Sequence, residues 1–434
     1  MPSLLQRPFA RINYARAVEW GKLITITGSA QTAIQVIGFL SGILVIRLLS
    51  TQEYALFTLA NTMLGTMTML ADSGITNGIM AESGKVWQDE KKLANVLATG
   101  LSMRKQFGII SLLVTLPVLC YLLMLHGASW PMMVLIAAST IPAFFAALSD
   151  SVLEIVPKLH QEIKPLQRNQ VEVSIGRLLL NGLFLFAFPY TALALIANGI
   201  PRIYGNRKLR TLSAHYISFG TPDPIVRKSV MKGVWRTLPI VVYHCISGQI
   251  SIWLISIFGA TENISQLGAL SRIAVPFGIL GAIFSTLIIP RFARMAENND
   301  KLLSRFLMTQ LITLGAGSTL LFLIWLCSNS LLWVLGKNYY GLNHELVILG
   351  AINCAGIMST ICSQLNLSRG WFIKPYFLII FNFISTLIGF TVFDIHTLVG
   401  TLRFTLALTL CAYFIDLIYG ILSIKRISDI YQIK

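Results

Sequence analysis

Acidic residues are scarce in this 434-residue chain, where 18 Asp and Glu stand against 34 Lys and Arg and all charged residues together make up 12%. Soluble domains carry about twice that fraction. With 55% hydrophobic residues and a mean hydropathy of +0.71, a soluble fold is excluded. Cysteine is also sparse: Cys120, Cys245, Cys327, Cys354, Cys362 and Cys411 sit in or beside apolar runs, and none forms a Cys-x-x-Cys pair. That pattern argues against a disulfide framework and against a zinc site. The first twenty residues hold Arg7, Arg11, Arg16 and Glu19 with no apolar core before Leu23, so no cleavable signal peptide is expected and the first span serves as anchor and address.

What the chain has in abundance is long apolar runs. They fall at 23–46, 54–80, 107–125, 130–153, 173–188, 190–205, 237–258, 263–290, 305–327, 344–367, 372–393 and 397–421. A helix of about 20 residues crosses roughly 30 Å of hydrocarbon, so these runs predict an all-α polytopic membrane protein of about 12 transmembrane helices. The net charge of +16 would suggest nucleic acid in a soluble protein. Here it follows the positive-inside rule: all of the 34 basic residues except Arg47, Arg272, Lys337 and Arg403 fall on one side of the predicted topology. Both termini are then cytoplasmic, and the expected location is a bacterial cytoplasmic (inner) membrane.

Connections on the other side are all short, which argues against a membrane enzyme such as a polymerase, ligase or glycosyltransferase, since these need a catalytic loop there. The longest inside loop, near 206–234, contains Pro222 and Pro224 and divides the chain into 1–215 and 216–434. On its two sides, RLLSTQEYALFTLANTM and ISIFGATENISQLGALSRI place an acidic corner, Glu53 or Glu262, between two spans at an offset of about 210. Six spans per half give both halves the same orientation. The expected plan is two parallel six-helix bundles around a central cleft.

The stretch Arg47-Leu48-Leu49, then Thr51 to Phe57, then Asp72-Ser73-Gly74-Ile75 resembles the opening of bacterial polysaccharide and O-antigen repeat-unit flippases. Their superfamily also contains multidrug and toxin exporters. The segments 331–349 and 268–273 are similar to later corners of the same family. The resemblance implies an undecaprenyl-diphosphate-linked oligosaccharide as substrate, moved between leaflets by alternating access. It also implies association with a polysaccharide polymerase and a chain-length regulator.

Charge within a bilayer is costly and marks functional candidates. Arg272, about a third of the way into the eighth span, leads them, because a guanidinium suits bidentate contact with phosphate. Arg47 and Arg403 lie near span ends, where interfacial anchoring competes with a place on a cationic rim. Polar stripes at helical spacing add Gln35 and Thr32 in the first span, His244 and Ser251 in the seventh, and Asn353 and Gln364 in the tenth. Such stripes either pack helices or line a cleft. Asp72 and Asp416 are the carboxylates placed to take part in coupling to H+ or Na+, with a structural role the simpler reading for Asp72. No cofactor and no metal is expected. The competing function is a cation-coupled drug or metabolite antiporter of the same superfamily, against which the first span offers no acidic residue.

Overall fold

Ser50 is where the chain first turns. Its Oγ accepts from the Glu53 amide at 3.3 Å, capping the helix that follows an arginine-ended span. The computed structural model describes residues 14–160, 162–216, 220–248, 250–289, 292, 302–369, 371, 373 and 375–432. The side chains of 14–27, 236, 237, 240, 244, 246–248, 250, 251, 285–287, 375 and 426–432 lie outside that description.

The described residues form helices and turns, without strands. In the first half, α1 (Tyr14–Leu48) is followed by α2 (Thr51–Asp72) and α3 (Ile75–Val86). Then come α4 (Glu90–Leu125), α5 (Trp130–Leu153), the short α6 (Ile155–Leu159), α7 (Ile163–Ala187) and α8 (Thr191–Ala214). The second half begins with α9 (Pro224–Gly248) and α10 (Ile250–Phe258). Next are α11 (Thr261–Leu270) and α12 (Val275–Leu287), joined through a 3-10 turn at Ser271–Ala274. It ends with α13 (Leu302–Leu326), α14 (Ser328–Leu335), α15 (Asn343–Ser368), α16 (Pro375–Val392) and α17 (Leu398–Gln432).

Each of the twelve apolar runs corresponds to one helix or to one broken pair, and among the described residues eight of these stretches are long and apolar enough to cross a membrane by length and composition. The break between α2 and α3 is set by backbone: Ser73 (φ 42°) and Gly74 (φ 85°) both occupy the left-handed region. The expected long loop at 206–234 is much shorter than its composition suggested. α8 runs on to Ala214 and α9 starts at Pro224, so both helices project beyond their apolar runs as polar extensions. The α9 extension docks on the first half, where Ser229 donates to Glu82 (2.7 Å), Arg227 to Gln106 (2.8 Å) and the Asp223 amide to Thr99 (2.7 Å).

The two halves meet along α2 and α11. At their crossing a Cβ on Gly268 would collide with the Thr58 side chain, so glycine is what permits this approach. Thr58 and Gly268 are 210 positions apart, against 209 between Glu53 and Glu262.

At the end opposite the basic extensions, the halves are tied by polar contacts. Arg47 donates to the carbonyls of Trp333 (2.7 Å) and Val334 (2.9 Å) and stacks over the Trp333 ring. The buried His126 faces the Ser256 carbonyl at 2.8 Å and the Thr261 hydroxyl at 3.0 Å. Asn338 donates to Thr51 at 3.2 Å.

Candidate functional site

A polar chamber of about 350 Å³ lies within the first half, enclosed by α1, α2, α5, α7 and α8 and closed from the second half by Arg272. Its residues come from the inward faces of these helices. From α1 it takes Gln35, Gly38, Ser41 and Gly42; from α2, Asn61; from α5, Ser139 and Thr140; from α7, Ser174, Arg177 and Asn181; and from α8, Asn198 and Arg202. Along α1 the lining passes from exposed Gln35 and Gly38 to buried Ser41, Gly42 and Val45. The chamber is therefore covered towards the tied end and accessible towards the basic end.

Asn181 organises one wall by donating to Ser41 Oγ (3.0 Å) and Asn198 Oδ1 (3.1 Å). Gly42 makes room for Arg272, since a Cβ there would stand 3.3 Å from the arginine Cδ and Nε. Among the described residues, three arginines line the chamber and no carboxylate does. Arg202 donates through Nε to Asp150 (3.2 Å), whose other oxygen takes a 2.6 Å bond from Asn206. The Nε atoms of Arg177 and Arg272 are buried and have no hydrogen-bond partner among the described residues. Leaving a charged donor buried and unsatisfied is costly unless a ligand completes it. Chemically, the lining sets guanidinium donors beside Asn, Gln, Ser and Thr groups.

A second chamber of about 280 Å³ adjoins the first and shares Ile34, Ser174, Arg177 and Arg202 with it. It adds Asp150, Glu154 and Gln170 on the basic side. Here the carboxylates are already engaged, Asp150 by Arg202 and Asn206, and Glu154 by Lys158 (2.7 Å) and Gln170 (3.2 Å). Gln31 bridges from α1 to Gln167 and Gln170 of α7 at 3.1 and 3.2 Å. Arg177 and Arg202 thus stand between the two chambers.

No family model matches the chain, and no curated protein matches it. Among solved structures, the inward-facing conformation of a multidrug resistance MATE family transporter of the MOP superfamily matches with a TM-score of 0.73 and 14% identity, over 91% of this chain and 96% of that one. The chain has the MATE fold. An outward-facing MATE structure matches with a TM-score of 0.62 and 15% identity, over 94% of this chain and 95% of that one. A MOP superfamily transporter from Pyrococcus furiosus, described as having a binding pocket of reversed polarity that suggests a different function, gives 0.59 and 15%, over 93% and 94% of the two chains.

Within this MATE fold, the residues expected from sequence are dispersed. Arg272 and Gln35 share the main chamber. Thr32, one turn from Gln35, donates back to the Gly28 carbonyl (2.9 Å) and is not part of that lining. Arg47 belongs to the tie between halves, and Arg403 lies beside His344 at 3.4 Å near the start of α17. Asn353 borders a small apolar pocket with Leu270 and Phe277, its amide turned to the Leu349 carbonyl (2.8 Å), and Gln364 is likewise in the second half. The side chains of His244 and Ser251 lie outside the described residues. Asp72 forms an ion pair with Arg104 (2.9 Å), and Asp416 sits in α17 beside Cys362. Among the described residues, the first-span stripe contributes Gln35 to the chamber, and Arg272 of the second half borders it.

Arg177 and Arg202 are the chamber residues that the sequence reading passed over as charges of the inside segments. Their signal was present: Arg177 falls within the run 173–188 and Arg202 within 190–205. Asn61, Ser139, Thr140, Asn181 and Asn198 carry no comparable mark, since lone polar residues in apolar helices usually serve packing.

Proposed function

We propose that the protein is an alternating-access membrane transporter whose cargo is anionic and rich in hydroxyls, in the form of an undecaprenyl-diphosphate-linked oligosaccharide. The observation that carries this reading is that, among the described residues, the buried Nε atoms of Arg177 and Arg272 have no partner and the chamber lining holds no carboxylate. Diphosphate would complete both donors, and the Asn, Gln, Ser and Thr groups around them suit sugar hydroxyls. The basic end is taken as cytoplasmic by the positive-inside rule. The structure then has its chamber accessible from inside and tied shut outside, in keeping with the TM-scores of 0.73 to an inward-facing and 0.62 to an outward-facing relative of the fold.

The second reading is a cation-coupled drug or metabolite antiporter. What favours it is that the inward- and outward-facing structures sharing the fold are described as multidrug resistance transporters. What weighs against it for cationic drugs is the sign of the chamber. Coupling to H+ or Na+ through Asp416 or Asp72 belongs to either reading.

The test is transport by Arg177→Ala, Arg177→Lys, Arg272→Ala and Arg272→Lys, in proteoliposomes holding a fluorescent polyprenyl-diphosphate oligosaccharide and, separately, a cationic dye. Losing a charge-assisted hydrogen bond costs about 1.5–3 kcal/mol, so each Ala variant should lose roughly tenfold to a hundredfold in affinity for the diphosphate. Lys should recover only part of it, lacking the fork geometry. Dye transport that survives in all four variants, together with no diphosphate transport by the unaltered protein, would move the conclusion to the antiporter.

A further inference from the structure

A second cationic feature lies on the outside of the first half, away from both chambers. At the basic end, Phe145, Leu148 and Ser149 of α5 form the floor of a groove of about 300 Å³. Leu101, Arg104 and Lys105 of α4 make one wall and Arg210 of α8 the other. The floor is apolar except for Ser149, and the walls bring three cations with no carboxylate in the lining among the described residues.

The three cations are not equivalent. Arg104 is buried and already spent on Asp72, the Leu148 carbonyl and Ser151. Lys105 is exposed and has no ion pair or hydrogen bond among the described residues. Arg210 is exposed too, and its Nε is steered by a 3.1 Å bond to Asn206 Oδ1. Asn206 is itself held by Ser149 and Asp150 of α5. Two available charges of one sign are thus presented across an apolar floor, and one of them is anchored by a buried amide.

The surface leading away from the groove is apolar. On α4, Ile109, Ile110, Leu113 and Val114 are exposed, beginning one turn beyond Lys105. On α5, Val134, Leu135 and Phe145 form an exposed stripe at helical spacing. Such faces meet acyl chains in a membrane, and the change from cation to hydrocarbon within one turn, about 6 Å, is the profile of a lipid from phosphate to chain. Basic pockets between helices on the cytoplasmic side are where anionic head groups bind.

We propose that this groove holds an anionic phospholipid of the leaflet at the basic end, with its phosphate between Lys105 and Arg210 and an acyl chain along Phe145 and the Ile109 to Val114 face. The site is separate from the transport chamber and does not depend on what that chamber carries. Because α4, α5 and α8 are held together at this point, an occupied groove braces the basic end of the first half.

The test uses the full-length protein in mixed micelles, with phosphatidylglycerol and phosphatidylcholine as probes and native mass spectrometry as readout; no transport substrate is present. The unaltered protein should retain phosphatidylglycerol in preference to phosphatidylcholine. Lys105→Gln with Arg210→Gln should weaken that retention about tenfold, and Lys105→Arg with Arg210→Lys should preserve it. A control pair on the same end but outside the groove, Lys91→Gln with Lys228→Gln, should leave it unchanged. Both groove positions are exposed, so thermal stability of the variants should match the unaltered protein. Equal retention of the two lipids, unchanged retention in the Gln pair, or an equal loss in the control pair would each overturn the proposal, the last by assigning the effect to the diffuse field of the basic end.

Discussion

Arg104 shows how this chain keeps a charge in its core. Its guanidinium is almost fully buried, at 4% exposure, and reaches three acceptors: Asp72 at 2.9 Å, the Leu148 carbonyl at 3.2 Å and Ser151 Oγ at 2.6 Å. Asp72 in turn accepts from the Thr76 amide at 3.2 Å, so the network spans the α2 to α3 break and ties it to α4 and α5. Removing one partner of such a pair leaves the other buried and uncompensated, whereas removing both does not. Asp72→Ala should therefore cost about 3 kcal/mol, and Asp72→Ala combined with Arg104→Met should cost less than Asp72→Ala alone, read as thermal unfolding in detergent. An additive loss would mean that Arg104 finds other partners. The two ends of this pair were unequally legible in the sequence. Asp72 stands out beside Ser73-Gly74, but Arg104 looks like one more positive-inside charge, and nothing local says that it folds back into the helix packing. Arg177 was overlooked for the same reason, although its position within an apolar run sets it apart from a true loop charge.

At the scale of the element, the helical character of the twelve apolar runs was readable because an apolar run long enough to cross a bilayer has few alternatives to helix. Their polar extensions were not. The segments that became the end of α8 and the start of α9 carry charges and two prolines, which read as loop until tertiary docking is known. That docking leaves a measurable trace at Glu82. The Ser229 hydroxyl, donating from α9, and then Lys85 hold the Glu82 carboxyl below its ordinary range. A lowered folded-state pKa means that the contact stabilises above the unfolded carboxylate value, near 4.3, and that this contribution fades as pH falls through the lower folded value. Thermal stability of the unaltered protein should exceed that of Glu82→Gln at pH 7, with the gap closing as pH drops below about 4. A gap that stays constant over that range would place the effect of the substitution elsewhere than in the charge of Glu82.

For the whole molecule, the close approach of Gly268 to Thr58, where the halves cross, was not marked in the sequence, since a lone glycine in an apolar helix looks like any other. That the first half encloses a polar chamber was not legible either, because both halves carry similar polar stripes and a stripe does not reveal whether its neighbours close over it. The tie at the end opposite the basic extensions decides which way the chamber opens, and its members are few. Arg47 spans from α1 to the Trp333 and Val334 carbonyls, and His126 spans from the α4 to α5 corner to Ser256 and Thr261. Since the Ser256 carbonyl can only accept, His126 carries a hydrogen on Nε2 in this state. In the alternating-access reading proposed above, weakening these contacts acts on the balance between closed and open forms rather than on folding. Arg47 is exposed, which reduces the worth of its bonds to about 1 kcal/mol, or about a fivefold shift. Spin labels at Met124→Cys in the first half and Lys337→Cys in the second would report the separation of the halves at this end. The double-labelled protein should show mainly the short distance, and adding Arg47→Ala should raise the ratio of long to short distances about fivefold. Adding His126→Ala to that background should raise it further, because the two residues tie different corners and their effects should add. A distribution left unchanged by both substitutions would mean that the packing of α2 against α11, and not the polar tie, sets the resting state of the protein.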